Sequence, residues 1–155
     1  FALAKVGPAL DSNDPDLRTL RDQGSKLIVY HGWSDPDISP VASINYFEEV
    51  VELIGDDTRA INYAAALEST QDFYRLFMVP GMAHCRGGPG PDTFDALTAL
   101  EDWVERGVAP EQITASKLVD GEVVRSRPLC VYPELASYNG SGSTDDAVNF
   151  SCAAP

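Results

Sequence analysis

Two short apolar runs, at residues 26–31 and 73–79, alternate along the chain with segments whose apolar residues recur at helical spacing. Both runs contain β-branched or aromatic residues and are short, which is typical of buried strands. Between them a helix is predicted over 41–54, with Gly55 as its end. Its apolar positions are Ile44, Phe47, Val50, Val51 and Ile54. The pattern predicts strands separated by helices, the order of a parallel α/β sheet.

Three further segments complete this alternation. Asp14-Pro15 predicts the start of an earlier helix, with Asp as N-cap and Pro at the first helical position, and Gly24 predicts its end. Segment 56–72 is ambiguous between a short helix at 61–67 and a surface loop. A last helix is predicted over 92–106, and one face of it carries Phe94, Leu97, Leu100 and Val104.

The final third of the chain has a different pattern. Asp120-Gly121 lies between two strand-like segments, 116–119 and 122–125, and this dipeptide is a strong signal for a two-residue hairpin turn. Beyond Pro128 the sequence is rich in turn residues. The length suits one domain. We therefore expect an α/β fold in which residues 1–127 form the main portion and 128–155 form a turn-rich tail of the same domain.

Composition narrows the function classes. The chain has 155 residues, 44% of them hydrophobic, and a formal net charge of −13, so it can bury a core. The acidic balance argues against nucleic acid and against anionic membrane surfaces, whose phosphates it would repel. No run approaches the roughly 20 apolar residues that a membrane span needs. We expect neither nucleic acid nor a membrane as partner.

The candidate chemistry lies just after the two predicted strands. Asp35 follows the first strand and His84 follows the second. Because ligand sites in parallel α/β sheets lie outside the carboxyl ends of the strands, the two loops should be neighbours. An Asp followed by a His is the order of the second and third members of a Ser…Asp…His hydrolase triad. Taken singly, Asp35 could be a loop or capping aspartate and His84 a turn histidine.

The serine of such a triad has no good candidate in this sequence. Ser34 lacks the second glycine of a nucleophile elbow, because Pro36 stands in its place, and Ser141 has no preceding strand. His31 ends a buried run, where a structural role is favoured over a chemical one. Two separated histidines without clustered cysteines argue against a zinc site.

The three cysteines leave two interpretations open. Cys130 and Cys152 lie in the turn-rich tail, where a disulfide would stabilise the fold, and Cys85 would then need a partner outside the chain. Alternatively, all three are reduced thiols of an intracellular protein. The count alone does not decide between them.

Four segments carry a joint motif pattern. They are 26–36, which includes His31-Gly32-Trp33-Ser34-Asp35; 79–85, which includes Gly81-Met82-Ala83-His84-Cys85; the predicted helix 99–107 with 109–111; and the tail from 127 to 152. In this combination the chain resembles the tannase and feruloyl esterase family, secreted α/β-hydrolases that split esters of phenolic acids. The resemblance implies that the chain forms the closing half of an α/β-hydrolase parallel sheet, with a hairpin and a disulfide-closed tail.

The resemblance also implies roles for single residues. Asp35 would be the triad acid and His84 the triad base. Cys85 would pair with a cysteine directly before the nucleophilic serine, outside this chain, and Cys130 would pair with Cys152. Family members are longer, with the serine elbow and a lid domain upstream, and in many relatives the lid holds calcium. No cofactor is expected in the chain itself.

We therefore expect the C-terminal part of a secreted serine carboxylesterase. The chain opens with Phe1-Ala2-Leu3-Ala4 and, given the missing nucleophile, is expected to begin within a longer gene product. Its partners would be the upstream segment that carries the serine and the lid, and a phenolic ester as substrate. Alone it should be inactive. The alternative is a self-standing, non-catalytic α/β binding domain.

Overall fold

In the described part of the chain, the strands pair into three two-stranded sheets, of which one is parallel. The computed structural model describes residues 6–7 and 12–155. Its helices are α1 (Arg18–Asp22), α2 (Pro40–Thr58), α3 (Tyr63–Gln71) and α4 (Ala96–Arg106). Its strands are β1 (Leu27–Gly32), β2 (Tyr74–Val79), β3 (Gln112–Val119), β4 (Glu122–Cys130), β5 (Leu135–Tyr138) and β6 (Phe150–Ala153). In the part of the chain so described, no helix has the length and apolar character to cross a membrane.

The parallel pair β1–β2 confirms both predicted strands. Its register runs from Leu27 opposite Tyr74 to Gly32 opposite Val79, so both strands end at the same edge. Every residue of β2 is buried, including Arg75, as the prediction of a buried strand requires. Helix α2 covers this sheet with four buried residues at helical spacing, Phe47, Val50, Val51 and Ile54. Within the described residues the parallel sheet has only these two strands.

Two helix ends differ from the prediction in the α2–α3 region. Helix α2 continues through Gly55 to Thr58, and its C-cap residue Arg59 adopts a left-handed conformation. Gly55 is needed instead for close packing, because a Cβ there would lie 2.8 Å from the Cβ of Ala66 in α3. In the ambiguous segment 56–72 the helical alternative is the one found. The helix is α3, at Tyr63–Gln71 instead of 61–67, and the Asn62 side chain caps it.

Helix α1 starts later than Asp14-Pro15 predicts. The Asp14 side chain accepts a hydrogen bond from the Asp16 amide, so the segment forms a local turn, and the helix begins at Arg18. Competition between an Asp turn and an Asp cap decides such a boundary. The prediction of Gly24 as a stop is confirmed, since it follows the helix with a φ of 73°.

Helix α4 is shorter than predicted and presents a different face. It begins after Asp95, whose side chain accepts from the Thr98 amide. Its buried residue is Trp103, whereas Leu97 and Val104 are 66% and 60% exposed. The helical spacing of apolar residues therefore identifies an apolar face of α4, but it does not show which part of the protein packs against that face.

The hairpin at Asp120-Gly121 is confirmed and longer than predicted. Both turn residues have positive φ, as a two-residue turn of this kind requires, and β3 pairs with β4 from end to end, with one register shift between Lys117 and Leu118. The tail is more regular than predicted, because β5 and β6 form an antiparallel pair. A disulfide between Cys130 and Cys152, with Cα atoms 5.5 Å apart, joins this pair to the end of β4.

Candidate active site

The Asp35 carboxylate organises the loop after β1. Its Oδ1 accepts hydrogen bonds from the backbone amides of Asp37 at 2.8 Å and Ile38 at 3.0 Å. The side chain is only 4% exposed. Helix α2 has Ser39 as its N-cap residue, without a side-chain hydrogen bond, so Asp35 is not its cap. Asp35 is thus a loop aspartate through Oδ1, which accepts both backbone amides, and its Oδ2 remains available for other hydrogen bonds.

The loop after β2 is folded tightly around glycines. The Gly90 amide donates to the Gly81 carbonyl and the Ala83 amide donates to the Gly87 carbonyl, both at 3.0 Å. A Cβ on Gly90 would lie 2.0 Å from the Pro80 carbonyl oxygen, so only glycine fits there. This closed loop carries His84.

An ion pair fastens the His84 loop to the hairpin. Asp92 accepts from the Gly87 amide at 2.7 Å and from Lys117 Nζ at 3.1 Å. Lys117, on β3, also donates to the Gly88 carbonyl at 2.8 Å. Although burial raises the pKa of Asp92, the hydrogen bonds from Gly87 and Lys117 outweigh it and lower that pKa below its usual value. The carboxylate is thereby kept ionised around neutral pH.

The two loops are in direct backbone contact. The Ser34 amide donates to the Met82 carbonyl at 3.0 Å. Gly32 lies so close that a Cβ on it would be 2.2 Å from the same carbonyl oxygen. The end of β1 therefore fixes the position of the segment that precedes His84.

This contact brings together the two residues that the sequence singled out. His84 Nδ1 lies 2.8 Å from Asp35 Oδ2. Since an ionised carboxylate only accepts, we assign the proton to Nδ1. The hydrogen bond and the charge of Asp35 raise the pKa of His84 above its usual value. For Asp35, burial raises the pKa, but hydrogen bonds from the Ile38 and Asp37 amides and from His84 hold it far below the usual carboxyl range.

The other face of His84 is open. Its side chain is 48% exposed, and within the described residues Nε2 has no hydrogen-bond partner. The imidazole borders a cavity of about 230 Å³. Its other lining residues are Tyr30, His31, Gly32, Asp35, Ile38, Met82 and Cys85, so no serine in the described part of the chain lines it. An imidazole fixed at Nδ1 with a free Nε2 is equipped to accept and return a proton.

His31 contacts the pair, which sequence reasoning missed. Its Nε2 lies 3.1 Å from Asp35 Oδ2, and its Nδ1 lies 2.7 Å from the Ser43 hydroxyl. Its place at the end of β1, four residues before Asp35, was the signal that could have revealed this contact.

Cys85 and the tail cysteines occupy different environments. Cys85 is exposed, free of any disulfide within the described chain, and adopts a left-handed φ of 62° beside His84. Cys130 and Cys152 form the disulfide described above. The alternative of three reduced thiols is therefore wrong for this pair, while the outside partner predicted for Cys85 stays a prediction.

One group of side chains could in principle hold a cation. Asp35, Asp37 and His84 each place one ligand atom within 4.8 Å of the others. However, the Asp35 oxygens already accept from two amides and two imidazoles, and the Nδ1 atom of His84 carries the proton of one of those bonds. A cation here would have to break the Asp–His contact, so these residues fit a hydrogen-bonded pair better than a metal site.

Comparison with known proteins identifies the family of this chain. In hydrolases with a Ser-His-Asp triad, an Asp–His pair of this kind activates the serine nucleophile. The sequence profile described as "Tannase and feruloyl esterase" matches residues 1–153, and the chain belongs to this family.

Three similar proteins illustrate the relationship. The mono(2-hydroxyethyl) terephthalate hydrolase of Piscinibacter sakaiensis is 46% identical over 90% of this chain and 22% of its own length. Feruloyl esterase C of Talaromyces stipitatus is 34% identical over 98% of this chain and 30% of its own length. The crystal structure of feruloyl esterase B from Aspergillus oryzae superposes with a TM-score of 0.83 at 30% identity, covering 97% of this chain and 31% of that one. The chain thus spans less than a third of the length of these relatives.

Proposed function

We propose that this chain supplies the acid and the base of a Ser-Asp-His triad in an esterase that splits esters of phenolic acids. The observation that carries the proposal is the 2.8 Å contact between His84 Nδ1 and Asp35 Oδ2, with Nε2 of His84 facing an open cavity. In a triad, this is the arrangement that activates a serine hydroxyl.

The mechanism follows from the two nitrogens of His84. Nε2 takes the proton of the serine hydroxyl as its oxygen attacks the ester carbonyl, and then returns that proton to the leaving alcohol. Water hydrolyses the acyl-enzyme by the same route. The low pKa of Asp35 keeps it anionic throughout, and the raised pKa of His84 reflects stabilisation of the imidazolium that each step forms.

We place the nucleophile outside these 155 residues. This is supported by the absence of a serine from the cavity lining within the described chain, and by the fraction of the relatives that the chain spans. The exposed Cys85 would form a disulfide with a cysteine directly before that serine, fixing the elbow against His84. Residues 1–127 would continue the parallel sheet of the complete enzyme as its closing half, with 128–155 as the disulfide-closed tail. The exposed apolar residues Leu97 and Val104 on α4 fit a face that further chain covers.

The substrate class is proposed from the relatives' names. One is named for a terephthalate monoester and another for feruloyl esters, so both names describe esters of aromatic acids. We extend this class to the enzyme that contains this chain, and we propose that it is secreted, in keeping with the Cys130–Cys152 disulfide. By itself the chain would be inactive, since a triad without its serine has no nucleophile.

The test compares two substitutions in the full-length protein with an aryl ester as substrate. His84→Ala should lower kcat by roughly four orders of magnitude or more, because the base and acid roles are lost together. Asp37→Asn is the comparison variant: it keeps the backbone amide that Asp37 donates to Asp35 and removes only a nearby charge that contributes to the raised pKa of His84, so it should retain most of the turnover. Circular dichroism and thermal unfolding would establish that both variants are folded.

Turnover of His84→Ala within tenfold of wild type would refute the proposed role. The isolated chain offers a second test. If residues 1–155 alone hydrolysed the aryl ester with saturation, and a serine-directed inhibitor abolished this activity, the nucleophile would lie within the chain. If the full-length protein bound aromatic esters without turning them over, the alternative of a non-catalytic binding domain would be favoured.

A further inference from the structure

We infer that His31 is a positioning residue for the triad, holding the Asp35 carboxylate in the orientation that receives His84. The inference rests on the proposed function of Asp35 and His84. It concerns His31, for which the sequence favours a structural role. His31 is the penultimate residue of strand β1, and its side chain is 12% exposed. It does not need to contact the substrate to act.

The hydrogen-bond partners of His31 determine its tautomer. Nε2 lies 3.1 Å from Asp35 Oδ2 and 3.2 Å from the Ile38 carbonyl oxygen. Neither of these oxygens can donate, so Nε2 must carry a proton. Nδ1 lies 2.7 Å from Oγ of Ser43, which belongs to α2. A hydroxyl can donate or accept, so Ser43 holds the ring whichever form Nδ1 takes.

This arrangement completes the hydrogen bonding of a nearly buried carboxylate. Asp35 Oδ1 accepts from two amides of its own loop, and Oδ2 accepts from the two imidazoles of His31 and His84. Without His31, Oδ2 would retain a single donor, and that donor is the half-exposed ring of His84. A charged oxygen that loses a buried donor is costly to leave unsatisfied, so the carboxylate would turn towards another donor or water.

His31 also connects a loop to rigid elements. Asp35 lies in the loop after β1, whereas His31 is paired within the parallel sheet opposite Met78, and Ser43 lies in the first turns of α2. Three hydrogen bonds in series therefore connect a helix and a strand to the proposed base. They join Ser43 to His31, His31 to Asp35, and Asp35 to His84. Misplacing a catalytic group by about 1 Å can cost about 10²-fold in rate.

The test compares two substitutions of His31 whose side-chain amide groups extend to different lengths. In the full-length enzyme, His31→Gln can place an amide nitrogen near the position of Nε2 and keep the donor to Asp35, whereas His31→Asn cannot reach it. We expect His31→Asn to lower kcat roughly tenfold to a hundredfold with little change in KM, and His31→Gln to recover most of the loss. Rates are expressed per active site, titrated with a serine-directed phosphonate, so that unfolded protein does not contribute. Ser43→Ala is a milder variant, expected to lower kcat by a smaller factor.

A double-mutant comparison separates positioning from a general structural role. With Asp35 replaced by Ala there is no carboxylate to orient, so adding His31→Asn should change kcat no further. Equal kcat values per active site for wild type and His31→Asn would overturn the inference, and so would an undiminished effect of His31→Asn in the Asp35→Ala background. His84→Ala, measured in the same assay, reports on the proposed function separately. If it leaves turnover intact, the triad itself is wrong, whatever His31 does.

Discussion

Replacing Gly32 by alanine should disable the site without touching either of its functional side chains. Gly32 is the last residue of β1, and its α-carbon faces the backbone that leads to His84. The added Cβ would lie 2.2 Å from the Met82 carbonyl oxygen and 2.7 Å from that of Ala83. Both are backbone atoms, so no side-chain rotation can relieve the contact.

The size of the effect follows from these distances. A carbon and a carbonyl oxygen normally approach to about 3.3 Å, so the His84 loop must retreat by about 1 Å. A shift of that size in a catalytic group is expected to cost about 10²-fold in kcat. Overpacking of this kind should also cost about 1–3 kcal/mol of unfolding free energy. The activity loss should therefore exceed what partial unfolding could explain.

The assay measures kcat per titrated active site together with the unfolding free energy in urea. Gly107→Ala is the matched control, because Gly107 has a φ of 68° but no atom within 4 Å of an added Cβ. The control should lose roughly 1 kcal/mol of stability through backbone strain and keep wild-type kcat. If Gly32→Ala retained both stability and kcat, the close approach of the two loops would not be what positions His84.

Three further predictions concern the charge, disulfide and anchor of the site. Asp35→Asn should return the pKa of His84 towards its usual value, which an NMR titration would measure, and should lower kcat about 10⁴-fold. In the wild type, kcat/KM should fall as the pH drops through the raised pKa of His84, because protonated His84 cannot act as a base. Serine substitutions that break the Cys130–Cys152 bond, which spans 22 residues, should lower the unfolding free energy by about 3 kcal/mol in denaturant. The kcat of the folded protein should not change, and a large loss of kcat would contradict this purely structural role. Lys117→Met should lower kcat roughly tenfold with little change in KM, because the loop that carries His84 loses an anchor, and an unchanged kcat would mean that the glycine-rich loop holds itself in place.

The elements of this chain could be predicted where a local pattern decides them. Strand β2 is apolar apart from Arg75 and is buried along its whole length, and the turn at Asp120-Gly121 follows from two residues that tolerate positive φ. Such signals depend on burial or backbone geometry alone. The order of Asp35 and His84 after two parallel strands likewise sufficed to predict that they meet, because parallel strands end at one edge.

Other features depend on tertiary contacts that a pattern does not contain. Gly55 looks like a helix end, but it serves the close approach of Ala66 from the next helix. The contact between His31 and Asp35 required knowledge of how the loop after β1 turns back, which two backbone amides and the Oδ1 atom of Asp35 determine. The pairing of β5 with β6 was hidden by the turn residues between them.

The most direct test of the central claim is to locate the reactive serine and the partner of Cys85 in one measurement. The full-length enzyme would be labelled with a serine-directed phosphonate, digested without reduction, and analysed by mass spectrometry, with His84→Ala as the control for reactivity. We predict that the label lies on a serine outside these 155 residues, that this serine directly follows a cysteine bonded to Cys85, and that His84→Ala labels far more slowly. A label on Ser34 or Ser43, or labelling of His84→Ala at the wild-type rate, would contradict the account.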